Sequence, residues 1–167
     1  CSIVYENEPI EKNTMLNKPR KMTDTFLNLK ELSMSIIQGI IITIGVLFAY
    51  QFAVYSVLGE EKTRSMVFTT LIFANILLSL VNRSFIYSVV ESVQYKNKLF
   101  PIVIFATLVS LFAILYIPSF SRFFQLAELD LMELFISFLI AVVSVLWFEV
   151  YKGIKRRQFT RLKAGKI

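Results

Sequence analysis

Long stretches without a charged residue dominate the pattern of this chain. Four of them occur, at residues 32–59, 65–82, 99–121 and 134–148. A helix that crosses a membrane needs about 20 mostly apolar residues for a hydrocarbon core of about 30 Å. The first and third stretches suffice alone. The second reaches that length by continuing past Arg83, and the fourth by including residues 129–132 and 150–151.

We therefore predict four transmembrane helices, over 34–58, 65–88, 98–117 and 129–151. Helix is favoured over strand because the apolar runs are long and do not alternate with polar residues. A membrane β-barrel would need alternating segments of about ten residues. The predicted fold class is all-α: a polytopic membrane protein with four transmembrane helices in an antiparallel bundle.

The predicted domain organisation follows from the same pattern. Residues 1–33 are polar, and we expect a cytoplasmic loop that ends in a short interfacial helix capped by Thr23 or Asp24. Residues 34–151 form the transmembrane domain. Residues 152–167 form a basic cytoplasmic tail.

The connection between the third and fourth spans is rich in aromatic residues. Pro118 closes the third span, and residues 119–130, with three phenylalanines, are predicted to form an aromatic re-entry loop at the outer interface. Glu133 and Glu149 flank the fourth span. We expect them to lie near the two interfaces, where an acidic side chain anchors a helix through an ion pair.

The basic residues predict the orientation of the helices, since Lys and Arg favour the cytoplasmic side. The first, third and fifth non-membrane segments hold 15 of the 18 Lys and Arg residues. The other two segments hold Lys62, Arg64 and Arg122. Both ends of the chain and its middle loop are therefore predicted to be cytoplasmic. The basic tail is interpreted as an anchor at an anionic lipid surface rather than as a nucleic-acid site.

Composition supports a membrane protein and excludes several kinds of site. The 167 residues are 56% hydrophobic and 18% charged, against about 25% charged in a typical soluble domain. The sequence has no histidine and a single cysteine, Cys1, so a histidine-based triad and an internal disulfide are excluded. It has no Gly-rich phosphate loop and no paired nucleophile and base.

Polar residues within the spans are the candidates for function, because such groups are costly in lipid. Asn75, Ser79 and Asn82 lie near one face of the second span. Their amide and hydroxyl oxygens suit hard cations, so they are candidate metal ligands along an ion path. The alternative is that they form hydrogen bonds between packed helices.

The first span carries polar and small residues of its own. Gln38, Thr43 and Gln51 are expected to form interhelical hydrogen bonds. Gly39 and Gly45 are expected to allow another helix to approach closely.

Four segments resemble P-type cation-transporting ATPases. The run FTTLIFANILLSLVNRS, residues 68–84, is similar to the eighth membrane helix of that family, whose pattern is close to FTTLVxAQLxxxLNSRS. The opening CSIVYENEP, residues 1–9, resembles DPxCSIVFExEP, which follows helix six in a bacterial branch. LYIP at 115–118 resembles the junction of helices nine and ten, and WFEVYK at 147–152 resembles the end of helix ten. Together the resemblance covers about residues 1–157.

This resemblance implies that the four spans are helices seven to ten of a pump. In that family the phosphorylated Asp, the nucleotide site and the main ion-binding helices four to six lie upstream. We therefore expect a fragment that holds no cofactor itself, while the parent uses ATP and Mg²⁺. The absence of Met at position 1 agrees with a fragment of a longer protein.

The resemblance also bears on the ion. Calcium pumps with two sites carry a ligand carboxylate at the position that matches Asn75, and plasma-membrane types carry Gln there. Many relatives have Asn where this chain has Leu78. These departures favour a pump with one site, or a site that does not use this helix. Asn75 is the first candidate for ion contact, with Ser79 and Asn82 after it.

The hypothesis is the C-terminal membrane domain of a bacterial plasma-membrane pump that exports Ca²⁺ or a similar hard cation. The domain would brace the moving helices, and alternating access would be powered by an aspartyl phosphate elsewhere in the parent. Its partners would be the lipid bilayer and the upstream helices and cytoplasmic domains of the same chain. The alternative is a stand-alone four-helix membrane scaffold or regulatory protein.

Overall fold

The described part of the chain is entirely built around helices. The computed structural model describes residues 29–82 and 99–164, with side chains over 32–82 and 99–148. These residues form α1 (Leu29–Tyr55), α2 (Glu60–Asn82), α3 (Leu99–Tyr116), α4 (Pro118–Phe124) and α5 (Leu131–Ala164). All except α4 are long and apolar enough to cross a membrane. The predicted all-α architecture with four spans is confirmed.

A short turn, residues 56–59, connects α1 to α2 and makes the two helices antiparallel. The N–H of Leu58 donates to the carbonyl of Ala53 at 3.3 Å, the capping bond that ends many helices. Val57 takes the left-handed position of this cap, with φ of 54°. That conformation is unusual for a β-branched residue. Because α2 begins directly after the turn, it starts before position 65, where the sequence pattern placed its first residue.

The predicted aromatic re-entry loop is wrong in part, because half of it is helical. Ile117 is extended, with φ of −88° and ψ of 117°, and separates α3 from α4. Pro118 stands at the start of α4, where its missing N–H costs no helical hydrogen bond. Gln125 ends α4 with a left-handed φ of 53°, and residues 126–130 then lead to α5.

The last helix is much longer than predicted. Its apolar span covers Leu131–Phe148, but the helical backbone continues to Ala164. Lys, Arg, Gln and Leu are good helix formers, so the basic sequence after position 151 gives the helix no reason to stop. The predicted basic tail is thus helical as far as Ala164.

Two predictions fall on other parts of the chain. The interfacial helix before residue 29 lies outside the described residues. So do the predicted end of the second span, at residues 83–88, and the middle loop that follows it.

The core of the bundle lies between α1, α2 and α5. The interface of α2 with α5 is the largest, α1 packs against both, and α3 touches α2 over a smaller area. Two apolar clusters fill these interfaces. One contains Ala49, Ala53, Met66, Leu111, Leu115, Leu129 and Ile140, and the other Ile42, Ala74, Val81, Ala141, Val145 and Phe148.

Gly45 of α1 lies in a tight contact with α5. A Cβ atom at Gly45 would overlap the Oγ of Ser144 and lie 3.0 Å from its Cβ. Among the described residues, no atom lies within 4 Å of a Cβ placed at Gly39. The predicted role of glycine in close helix packing is therefore confirmed for Gly45, and for Gly39 it stays a prediction.

Candidate functional site

The three candidate ligands lie along one face of α2 as a line. Asn75 is exposed, whereas Ser79 and Asn82 are half-buried. With a rise of about 1.5 Å per residue, Asn75 and Asn82 are about 10 Å apart along the helix axis. Ligand oxygens lie about 2.3–2.6 Å from Ca²⁺, so these two residues are too far apart to hold one ion together.

Asn82 has a partner on the neighbouring helix. The Nε2 of Gln38 donates to the Oδ1 of Asn82 at 3.1 Å, and the Nδ2 of Asn82 donates back to the Oε1 of Gln38 at 3.5 Å. Gln38 is buried. Gln38 and Asn82 thus form a hydrogen bond between packed helices, which was the alternative to ion binding for Asn82 in the sequence analysis. Thr43 differs from Gln38, because it donates to the carbonyl of Gly39 in its own helix at 2.9 Å.

Asn75 lies on a part of α2 that is exposed, unlike Asn82 further along the same face. Leu71, one turn earlier, is exposed on the same face, while Thr70 and Ala74 are buried on the opposite side. An amide exposed to hydrocarbon is costly, so a polar residue in a span tends to face protein or a water-filled path. We call the exposed face with Leu71 and Asn75 the open face of α2, and we expect Asn75 to make a polar contact there.

The anchoring ion pair expected for Glu133 is present at the start of α2, but its partner Lys62 was not predicted from the sequence. The Nζ of Lys62 lies 3.1 Å from the Oε1 of Glu133 and 3.2 Å from the Oδ2 of Asp130. The side chain of Glu133 is 10% exposed, against 78% for Asp130. Glu133 also accepts a hydrogen bond from the N–H of Asp130 at 2.8 Å. The spacing Asp-x-x-Glu before an apolar run was the available signal, since it is typical of a helix start.

Ser65 forms a second tie between α2 and the segment before α5. Its Oγ accepts from the N–H of Ala127 at 2.9 Å and lies 2.7 Å from the Ala127 carbonyl. It is also 3.0 Å from the carbonyl of Glu61, which is another acceptor for the hydroxyl proton. Ser65 is fully buried, so one side chain satisfies both backbone groups of Ala127 away from solvent.

Two further bonds fix the same segment. The Nη1 of Arg64 donates to the Oε1 of Gln125 at 2.6 Å, and the hydroxyl of Tyr116 donates to the carbonyl of Leu129 at 2.8 Å. Residues 125–130 are thus fastened to α2 and to the end of α3. The contacts at this end of the bundle are structural, because Lys62 pairs with Asp130 and Glu133, and Arg64 binds Gln125.

Comparison with known proteins identifies the family. The sequence model of the protein family described as "Cation transporting ATPase, C-terminus" matches residues 1–154 of this chain. This chain belongs to that family. The resemblance in its sequence motifs is confirmed, and the chain is a multi-pass C-terminal membrane domain of the cation-transporting ATPase kind.

Curated relatives of this ATPase domain are calcium-transporting ATPases. Type 2C member 1 of Mus musculus is 26% identical over 161 residues, which are 95% of this chain and 17% of the relative. Type 2C member 2 of Rattus norvegicus is 25% identical over 128 residues, covering 76% of this chain and 14% of the relative. Calcium-transporting ATPase 1 of Yarrowia lipolytica is 24% identical over 140 residues, covering 84% and 15%. The chain spans about a sixth of the length of these relatives.

Proposed function

We propose that this chain is the C-terminal membrane domain of a P-type ATPase that exports Ca²⁺ at the expense of ATP. The observation that carries this proposal is the family match over residues 1–154. The ion is supported by the names of the relatives, which are calcium-transporting ATPases. We place the parent in the bacterial plasma membrane, with both ends of this chain in the cytoplasm. ATP and Mg²⁺ act in the parent's upstream domains.

Within the pump, this domain serves as a brace for the helices that bind the ion. Support comes from the packing of α1, α2 and α5, each of which contacts the other two, with Gly45 of α1 close against Ser144 of α5. Support also comes from Lys62 and Ser65, which tie α2 to the segment before α5. A bundle held at these points is suited to act as a fixed support against which other helices move.

The open face of α2 is the side that meets the upstream helices, and Asn75 contributes a neutral oxygen there. Asn82 is engaged with Gln38. Asn75 is the first candidate because it is exposed on this face, and Ser79, about 6 Å further along the axis, is the second. One amide oxygen binds a divalent ion weakly, so the carboxylate ligands must come from other helices of the parent.

The test is the ATPase activity of the intact protein with Ca²⁺, Mn²⁺, Mg²⁺, Na⁺ and K⁺, with vanadate as inhibitor. We expect vanadate-sensitive stimulation by Ca²⁺. If none of the ions stimulates a folded preparation, the pump proposal fails and the scaffold or regulatory alternative is favoured.

The role of Asn75 is tested by Asn75→Ala in the same assay. We expect the Ca²⁺ concentration for half-maximal activity to rise several-fold. Leu71→Ala is the matched control, because Leu71 lies one turn away on the same exposed face. An unchanged Ca²⁺ dependence in Asn75→Ala would assign Asn75 to packing alone.

The predicted orientation is tested by single cysteines placed near Lys96 and Lys163. Both should be shielded from an impermeant reagent added to intact cells. Labelling of either position from outside would contradict the cytoplasmic assignment.

A further inference from the structure

The short helix α4 exposes a cluster of phenylalanines between two membrane spans. Phe120, Phe123 and Phe124 are 48%, 78% and 50% exposed. The rings of Phe123 and Phe124 pack edge to face, with centroids 5.1 Å apart. Three large aromatic side chains exposed within seven residues form an apolar patch that needs a covering surface.

The three rings share one side of α4. At about 100° per residue, they fall within an arc of about 100°. Arg122 lies about 150° from the centre of that arc and is exposed as well. The helix is therefore amphipathic despite its length, with an aromatic side and a cationic side.

The depth of α4 relative to the bilayer is set by its neighbours. Its C-terminal cap, Gln125, is held by Arg64 at 2.6 Å. Arg64 belongs to the same turn of α2 as Lys62, which binds Asp130. Charged groups are costly in hydrocarbon and lie at the headgroup level. The end of α4 is thus fixed at that level.

The helices before and after α4 in the sequence also expose apolar side chains. α3 exposes Phe105 and Phe112, and α5 exposes Leu131 and Phe135. Both helices are candidate membrane spans. α4 therefore lies between two apolar spans, at the level where the charges of α2 mark the change from acyl chains to headgroups.

We propose that α4 is an interfacial anchor that docks on phospholipid, with its phenylalanines at the boundary of acyl chains and headgroups and Arg122 toward the phosphates. A helix of this kind buries its apolar face about 5–10 Å into that boundary. The tie of Tyr116 to Leu129 joins the ends of α3 and α5 on either side of α4. α4 therefore adds a lipid contact between the two spans, at the depth that its neighbours fix. This inference depends on the four spans and not on the transported ion.

The experiment measures the depth of a nitroxide label on the intact protein in phosphatidylcholine vesicles. Labels are attached at Phe123→Cys and, as the matched control, at Arg122→Cys, in a background without other reactive cysteines. Collision with oxygen reports contact with acyl chains, and collision with a water-soluble nickel chelate reports exposure to water. Phe120→Cys supplies a second aromatic position, and only variants that elute as folded protein are measured.

We expect the label at position 123 to collide several-fold more with oxygen than with the chelate, and the label at 122 to show the reverse order. A label at 123 that is freely accessible to the chelate would overturn the anchor, because the patch would then lie in water. A label at 123 that is shielded from both reagents would also overturn it, because a protein surface would then cover the patch.

Discussion

The two ends of α2 are held in different ways. At the charged end, defined by Lys62, Arg64, Asp130 and Glu133, ion pairs and the buried Ser65 fasten α2 to the segment before α5. At the amide end, defined by Gln38 and Asn82, a reciprocal pair of neutral side chains joins α1 to α2. The charged end is thus the better fixed of the two among the described residues.

Chain connectivity accounts for this difference. At the charged end, residues 56–59 lead directly into α2 and residues 125–130 lead directly into α5. Lys62, Asp130 and Glu133 therefore lie at or next to the starts of helices, where the backbone is already ordered and less conformational entropy is lost in forming the pairs. A pair of neutral amides costs less to bury than a charge, but interhelical bonds of this type contribute only about 0.6 kcal/mol on average. We therefore expect substitutions at the charged end to have the larger effects.

Lys62→Met should have the largest effect on stability. It leaves the carboxylate of Glu133, 10% exposed, without its cation, and a buried charge that loses its partner is strongly destabilising. The thermal midpoint of the intact protein in detergent should fall by several degrees. Arg64→Met is the control, since both partners of Arg64, Glu60 at 3.5 Å and Gln125 at 2.6 Å, are exposed and such surface contacts contribute little.

The double variant Lys62→Met/Glu133→Gln should recover most of this loss, because the amide removes the unpaired charge and retains an acceptor for the N–H of Asp130. Equal midpoints for Lys62→Met and Arg64→Met would mean that the cluster does not hold the charged end.

Gly45→Ala should destabilise the middle of the bundle by about 2 kcal/mol, within the range for overpacking a tight interface. The new methyl group would force the Oγ of Ser144 away from its bond to the Ile140 carbonyl, which is 2.8 Å long. The thermal midpoint and yield of folded protein report the effect. Gly39→Ala is the control and should be neutral or stabilising by up to about 1 kcal/mol, because the site is open and Ala favours helix.

Ser144→Ala should relieve part of the strain in Gly45→Ala, since it removes the overlapping oxygen. No difference between the variants at positions 39 and 45 would argue against close contact of α1 with α5.

Ser65→Ala should cost about 1–2 kcal/mol, because it leaves the N–H and carbonyl of the half-buried Ala127 without the Ser65 hydroxyl as partner. The thermal midpoint should fall, and a protease site introduced near Ala127 should be cut faster. Ser121→Ala is the control, since the Ser121 hydroxyl makes only a long contact of 3.4 Å to Pro118. Unchanged proteolysis in Ser65→Ala would show that other bonds suffice to hold the segment.

Gln38→Leu should have the smallest effect, about 0.6 kcal/mol, the average for a hydrogen bond between membrane helices. The control is Gln51→Leu, because Gln51 is an exposed glutamine of the same helix. Both are compared by thermal midpoint in the intact protein. If Gln38→Leu lowered the midpoint as much as Lys62→Met, the contrast between the two ends would be lost.

The sequence by itself determined the number of spans, the helical class and the family. The length of a span and its lack of charged residues are local properties of the sequence, so they can be recognised without knowledge of the packing. The order of the sequence motifs along residues 1–157 likewise indicated the family without knowledge of the packing. Helix ends were less well predicted, because α5 continues past its apolar span to Ala164 and α4 replaces part of a loop.

Only the tertiary structure decided which polar residues meet. Lys62 and Glu133 are 71 positions apart, and Gln38 and Asn82 are 44 apart, so nothing in the local pattern pairs them. Gly39 and Gly45 likewise have similar sequence surroundings, but only Gly45 faces Ser144. Periodicity places residues on a helix face, whereas the rotation and depth of each helix against its neighbours depend on the packing of the whole bundle.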